Sequence, residues 1–307
     1  MMDEGIRVFC VGLIGLDMIG RTQLPMQEGD DLPGVIETSI GGVIANIAVA
    51  LTSNNQIRSN LSVILLSSTG NDQNSEILLS SLTRNQVNCD YIVRENGLPD
   101  GYIAIEVDGE LFGAISSGSQ LEKSCIKILK PLSDGLLLNT DMPFTDYIIL
   151  DTNLTAKTID YLSFNPLFRN NRFVISCASP FKAQRIHSIL IERKCIIYAN
   201  LAEASKIADK SFTCSADAAE YIFNLGAQQA IITNGKNQIS SMSSTGLVSH
   251  VPEATKPSRV TGAGDTFLAA HFLSSIVNKN YSEKTHLEIA DSFARQTISN
   301  VLKGINV

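Results

Sequence analysis

Between Tyr147 and Thr233 the chain alternates short apolar runs with helical patterns, and few folds accept that order. Strands are expected near 147–150, 172–176, 195–198 and 229–233, and helices near 155–163, 182–192, 202–208 and 215–225. A strand covered on both faces reads as an unbroken apolar run, and parallel neighbours need a helix to carry the chain back. The alternation therefore predicts an α/β fold: a mostly parallel sheet with helices on both sides. The N-terminal part follows the same rule. Ile6 to Ile14 is too short for a buried helix and reads as a strand. Val35 to Ile40 is a weaker strand. Gly41-Gly42 opens a buried helix that ends near Leu51, and Leu61–Ser67 and Asp72–Arg84 give the next strand and helix. A hairpin is expected at 238–251, and helices over Gly262–Val277 and Glu283–Leu302 finish the chain.

Two segments break the pattern. Met18–Met26 is a short, partly apolar piece after the first strand. Tyr102–Val107 and Glu110–Ile115 flank Asp108-Gly109, a strong hairpin turn signal. These strands are expected to be antiparallel and to form a small lid sheet from about 16–40 and 98–117, within one domain spanning 1–307.

A chain of 307 residues, 44% of them hydrophobic, can bury a large core. Its net charge of −7 leaves no cation excess for nucleic-acid phosphates or an anionic membrane. The six cysteines form no C-x-x-C pair and read as reduced thiols of a cytoplasmic protein. The four histidines have no zinc spacing. Asp3 and Glu4 ahead of a short apolar run argue against a signal peptide, and no run of about 18 apolar residues predicts a membrane span.

The stretch that carries most chemistry is Thr261-Gly262-Ala263-Gly264-Asp265-Thr266-Phe267, glycines leading into a helix. Free backbone amides and the helix dipole favour an anion there, and glycine lets a phosphate come close. A transferring phosphoryl group spreads its charge over oxygens that such amides can stabilise, while a first-turn carboxylate can take the proton of an attacking hydroxyl. The same residues also read as an ordinary glycine turn with an acidic first-turn residue. No Lys-Ser/Thr follows, so this is not a Walker loop, and Gly12, Gly15 and Gly20 are misspaced for a dinucleotide fingerprint.

Thr261–Asp265, Gly41-Gly42 with Asn46, Asn200-Leu201-Ala202-Glu203, and Gly12 with Asp17 together resemble the motifs of the ribokinase-type (phosphofructokinase B) carbohydrate and nucleoside kinases, in order and spacing, over essentially the whole chain. Within that family the likeness is greatest to the pseudouridine kinases. It rests on Tyr102–Ile105, the Asp108–Leu111 turn, Ala114-Ile115, Asp151–Leu154 and Ser179–Lys182. The resemblance implies a three-layer α/β/α sandwich with a β-lid. It implies Asp265 as catalytic base, with the amides of Gly262, Ala263 and Gly264 as anion hole. Asp17, Gly42, Asn46 and Lys182 would hold the substrate, and Thr233 and Gly235 would hold ATP. Asn200 and Glu203 would organise Mg2+ through water, with K+ as a further candidate ion and a homodimer through the lid as a candidate assembly.

Other readings stand beside these. Asn46 could cap a neighbouring loop, Asp17 could be a turn residue, Lys182 could be a solvated first-turn lysine, and Asn-x-x-Glu also spells a capping box. Gly15, Ala45, Ser176-Cys177, Gln238 and Arg259 depart from the family pattern. The substrate is thus expected to be pseudouridine, with a free sugar, another nucleoside, or binding without catalysis as alternatives.

Overall fold

The computed structural model describes residues 6–53, 61–137, 146–254 and 262–299. The strands in chain order are β1 (Ile6–Val11), β2 (Gly15–Thr22), β3 (Val35–Gly41), β4 (Leu61–Leu66) and β5 (Ser68–Thr69). They continue with β6 (Val93–Arg94), β7 (Gly101–Val107), β8 (Glu110–Ser117), β9 (Tyr147–Asp151) and β10 (Arg172–Ser176). The last four are β11 (Cys195–Asn200), β12 (Gln229–Thr233), β13 (Ile239–Ser243) and β14 (Gly246–His250).

Eight strands form the central sheet in the order β14-β13-β12-β11-β10-β9-β1-β4. Six are parallel, and the β13–β14 hairpin closes one edge antiparallel. Side-chain alternation along each strand splits the core in two. Phe9, Val11, Ile148, Leu150 and Ile175 pack on one face with the helices Ala156–Phe164, Leu201–Ala208 and Ser215–Asn224. Val8, Cys10, Ile149, Val174 and Ile231 pack on the other with the helices Val43–Thr52, Gln73–Arg84, Ala263–Val277 and Glu283–Ile298. Each fully buried Ile, Leu or Phe contributes about 1.5–3 kcal/mol relative to an exposed one. This is the three-layer α/β/α sandwich that the alternation predicts.

A separate four-stranded sheet has the order β3-β2-β7-β8. The Asp108-Gly109 turn joins β7 to β8 antiparallel, as its sequence predicts. The expectation that the whole lid is antiparallel needs correction, because β2 and β7 run parallel, Asp17 opposite Tyr102. The two strands are brought together through the body of the domain, so no tight turn constrains their direction. Short helices at Ser119–Ser124 and Lys130–Ser133 and the β5–β6 pair are further elements that the sequence reading did not include. The segment 182–192 is a 3-10 turn, Ala183–Ile186, followed by the helix His187–Glu192. The final helix is described to Ile298, and its expected extension to Leu302 lies outside the described residues.

Candidate active site

Parallel strands send all their carboxyl ends to one edge, which is where ligands bind in open α/β sheets. Gly12 follows β1, Thr152 follows β9 and Cys177 follows β10, while Asn200 and Thr233 end β11 and β12 and pair in register. The expected site residues gather at this edge and on the lid.

Asp265 stands in the first turn of Ala263–Val277. Gly262, the N-cap, has a left-handed backbone (φ 86°) and gives no side-chain cap, so the first-turn amides are left for another partner. Gly264 is exposed, with no atom within 4 Å of where a Cβ would sit. This opening fits a phosphate. Thr261 and Arg259 lie outside the described residues.

Asn46 donates from Nδ2 to Asp265 Oδ2 at 2.8 Å. The residue expected to meet sugar hydroxyls thus also orients the Asp265 carboxyl. Burial pushes the Asp265 carboxyl up to about 7. The Asn46 bond works against this, and the charges of Asp151 and Asp17 add to it. A carboxyl poised near neutrality would suit proton abstraction.

Gly42 begins the Asn46 helix with φ 91°, and a Cβ there would overlap Leu13 O and crowd Ile14 Cα. Asp17 on β2 lies against Gly41, where its carboxylate fills the place a side chain would take. Tyr102 stands opposite Asp17 on β7, and its phenol is pushed up by burial and then by the Asp17 charge.

Asn200 and Glu203 form a complete capping box. Asn200 Oδ1 accepts from Glu203 N at 2.9 Å and Glu203 Oε2 accepts from Asn200 N at 2.8 Å. The capping reading of this motif thus holds in the structure. Glu203 is nonetheless buried, and burial lifts its carboxyl to about 7, opposed by the Asn200 amide and reinforced by the Asp265 charge. Among the described residues no cluster of three or more His, Cys, Asp or Glu could hold a metal directly. The Asp265 charge acts on Glu203, and carboxylates this near one another would fit a hydrated divalent ion rather than one bound directly, because magnesium keeps much of its water.

Lys182 is half-buried and donates from Nζ to Asn153 Oδ1 at 2.7 Å, beyond the end of β9. Burial and then Arg185 draw its ammonium down, while Asp151, Glu122 and Asp100 oppose them. Thr233 ends β12 and Gly235 stands in the open turn after it. Gln238, in place of a family glycine, donates to Ser240 Oγ at 3.1 Å and Ser249 Oγ at 3.0 Å. Two other departures lie in packed surroundings. A side chain at Gly15 would collide with Asp100 O, and Ala45 is fully buried in the helix that carries Asn46. The sequence reading gave no role to Asp151 or Asn153. Their signal was the likeness of Asp151–Leu154 to the pseudouridine kinases, which marked the stretch without assigning either residue a part.

The profile of pfkB family carbohydrate kinases matches residues 6–305. No curated protein matched the chain. Among solved structures, a carbohydrate kinase from Agrobacterium tumefaciens is 19% identical with a TM-score of 0.76, covering 98% of this chain and 93% of its own. Arabidopsis thaliana ribokinase complexed with ribose and ATP is 15% identical with a TM-score of 0.73, covering 98% and 94%. Escherichia coli phosphofructokinase-2 in complex with fructose-6-phosphate is 16% identical with a TM-score of 0.72, covering 96% and 93%. These likenesses show the ribokinase-like fold. With the profile spanning nearly the whole sequence, and with the Gly42–Asn46 corner meeting Asp265 in space, the chain belongs to the pfkB family of carbohydrate kinases.

Proposed function

We propose that the protein transfers the terminal phosphoryl group of ATP to the 5′-hydroxyl of a nucleoside, with pseudouridine preferred. The observation that carries the kinase reading is Asp265, bonded to Asn46 in the first turn of an uncapped helix. Asp265 takes the hydroxyl proton as the oxygen attacks in line. The amides of Gly262, Ala263 and Gly264 stabilise the moving phosphoryl group. Thr233 and Gly235 hold the nucleotide, and Asp17, Gly42 and Asn46 orient the ribose. Asn200 and Glu203 would hold hydrated Mg2+, which supplies charge neutralisation at the phosphates. The lid keeps water from the site. The six cysteines are all free, which supports a reducing, cytoplasmic setting. No helix among the described residues is long and apolar enough to cross a membrane.

The pseudouridine preference is supported by the resemblance of Tyr102–Ile115 and Ser179–Lys182 to the pseudouridine kinases. Asn153 is buried and its Oδ1 accepts from Lys182, so the two residues present donors suited to ring carbonyls, which pseudouridine and uridine share. Ribose contacts cannot separate pseudouridine from uridine. Only a group reading the extra ring N–H can, since such a site leaves its own polar atom unpaired with the wrong base. The specificity constant for pseudouridine should exceed that for uridine at least about ten-fold, roughly 1.4 kcal/mol in transition-state binding. Equal use of both would defeat the preference, and faster turnover of free ribose would move the reading to a sugar kinase.

The lid also supports a homodimer. Cross-strand register places Met18, Ile36, Ile103, Ile105 and Ile115 on one face, and all five are exposed, Ile115 by 75%. Contiguous apolar surface of this kind marks an interaction site. Sedimentation should find a dimer that Ile115→Asp converts to monomer. A monomeric wild type would contradict this assembly.

A further inference from the structure

Asp151 ends β9 fully buried, yet the transfer described above uses no atom of it. Its carboxylate accepts two backbone amides, Leu13 N on Oδ2 at 3.0 Å and Asn153 N on Oδ1 at 2.7 Å. The second bond alone would make an ordinary local turn. The first reaches across 138 residues of sequence. The carboxylate also packs on Gly12, where a Cβ would lie 2.6 Å from both its Cγ and its Oδ2.

Gly12–Leu13 is the corner at which β1 passes the chain to lid strand β2, which carries Asp17. Leu13 O and Ile14 Cα press on Gly42, which starts the helix carrying Asn46, and Asn46 holds Asp265. On the opposite side Asn153 receives Lys182. One buried carboxylate thus stands between the lid, the Asn46 helix and the lysine loop.

Resting on the reading of Asp265 as base, we infer that Asp151 is a positioning residue for the transfer: when ionised, it clamps the Gly12–Leu13 corner against β9 and fixes Asp17, Asn46 and Lys182 relative to Asp265. The charge state matters because both facing groups are N–H donors. A proton on either oxygen would turn an acceptor into a donor and release one amide. Burial favours that proton, raising Asp151 to about 6, against the pull of the Leu13 and Asn153 bonds and the Lys182 charge. The ionisable groups facing it are Lys182 after β10 and Asp265 on Ala263–Val277. Asp265 in turn faces Asp17 on the lid and Glu203 on Leu201–Ala208.

The test is Asp151→Asn, which cannot ionise and sets an amide N–H against a backbone N–H. Turnover should fall about ten-fold or more, with the KM for ATP within about two-fold of wild type. The acid limb of the pH–rate profile, set by Asp265, should move to lower pH, because a neighbouring negative charge is gone. Carbon-13 NMR of the Asp265 carboxyl in ligand-free protein should show the same displacement. Loss of a merely structural residue would lower the fraction of ATP-binding protein but leave turnover per ATP-binding molecule unchanged. Unchanged turnover, or an unmoved limb and titration, would overturn the role. If Asp151→Asn does not fold, Asp265→Asn serves instead: the Asp151 carboxyl should then titrate lower than in wild type, and no displacement would overturn the coupling. Absent transfer to every acceptor with the coupling intact would sink the kinase reading, and the role with it. Intact transfer without coupling would sink the role alone.

Discussion

Asp265→Asn should lower turnover at saturating ATP and acceptor by about 10²-fold or more, because the variant keeps the shape of the base but not its proton affinity. Asn can still accept the Asn46 hydrogen bond, so the site geometry and ATP binding should persist. The wild-type rate should rise with pH through about 7, as the carboxyl held up by burial becomes ionised. Stability should run the other way. A carboxyl whose folded value is raised stabilises the fold most fully below its ordinary value near 3.8, and that contribution is lost as pH rises through about 7. Asp265→Asn should therefore melt no lower than wild type at pH 8 while being nearly inactive. Near wild-type turnover would remove Asp265 from the chemistry. A large loss of stability would make it a structural residue.

Gly42→Ala should be the most damaging small change to the fold of the site. The position has φ 91°, which a side chain resists, and the new methyl would meet the Leu13 carbonyl and Ile14 Cα, which are backbone atoms and cannot swing aside. Strain and collision together should cost about 3 kcal/mol or more, lowering Tm by about 6 °C or more. The Asn46 helix would shift with it, so activity should fall further than stability. A variant with unchanged Tm and turnover would mean that this corner relaxes freely and does not set the Asn46–Asp265 distance.

The central sheet was legible because strands buried on both faces have nowhere to put polar residues. Ile148–Leu150 and Ala230–Ile232 show this. The Asp108-Gly109 turn was legible because two-residue hairpins admit few sequences. The direction of β2 against β7 was not, since Asp17 and Tyr102 lie far apart in sequence and the body of the domain decides how they meet. Asp265 announced itself through the glycines before it. How Asp151 is held was not legible, although Asp151–Leu154 shared in the family likeness, because the amides of Leu13 and Asn153 leave no mark on side-chain identity. Asn200 and Glu203 show a third case: one pattern serves both as capping box and as a buried carboxylate beside the base, and sequence alone does not separate the two.

The most direct test of the central claim is phosphorus NMR of the protein with ATP, magnesium and each of pseudouridine, uridine, adenosine, ribose and fructose in turn. The account predicts a new phosphomonoester formed in step with ADP, fastest on the 5′-oxygen of pseudouridine and slowed about 10²-fold or more by Asp265→Asn. No phosphomonoester from any acceptor, with ATP bound and the protein folded, would contradict it.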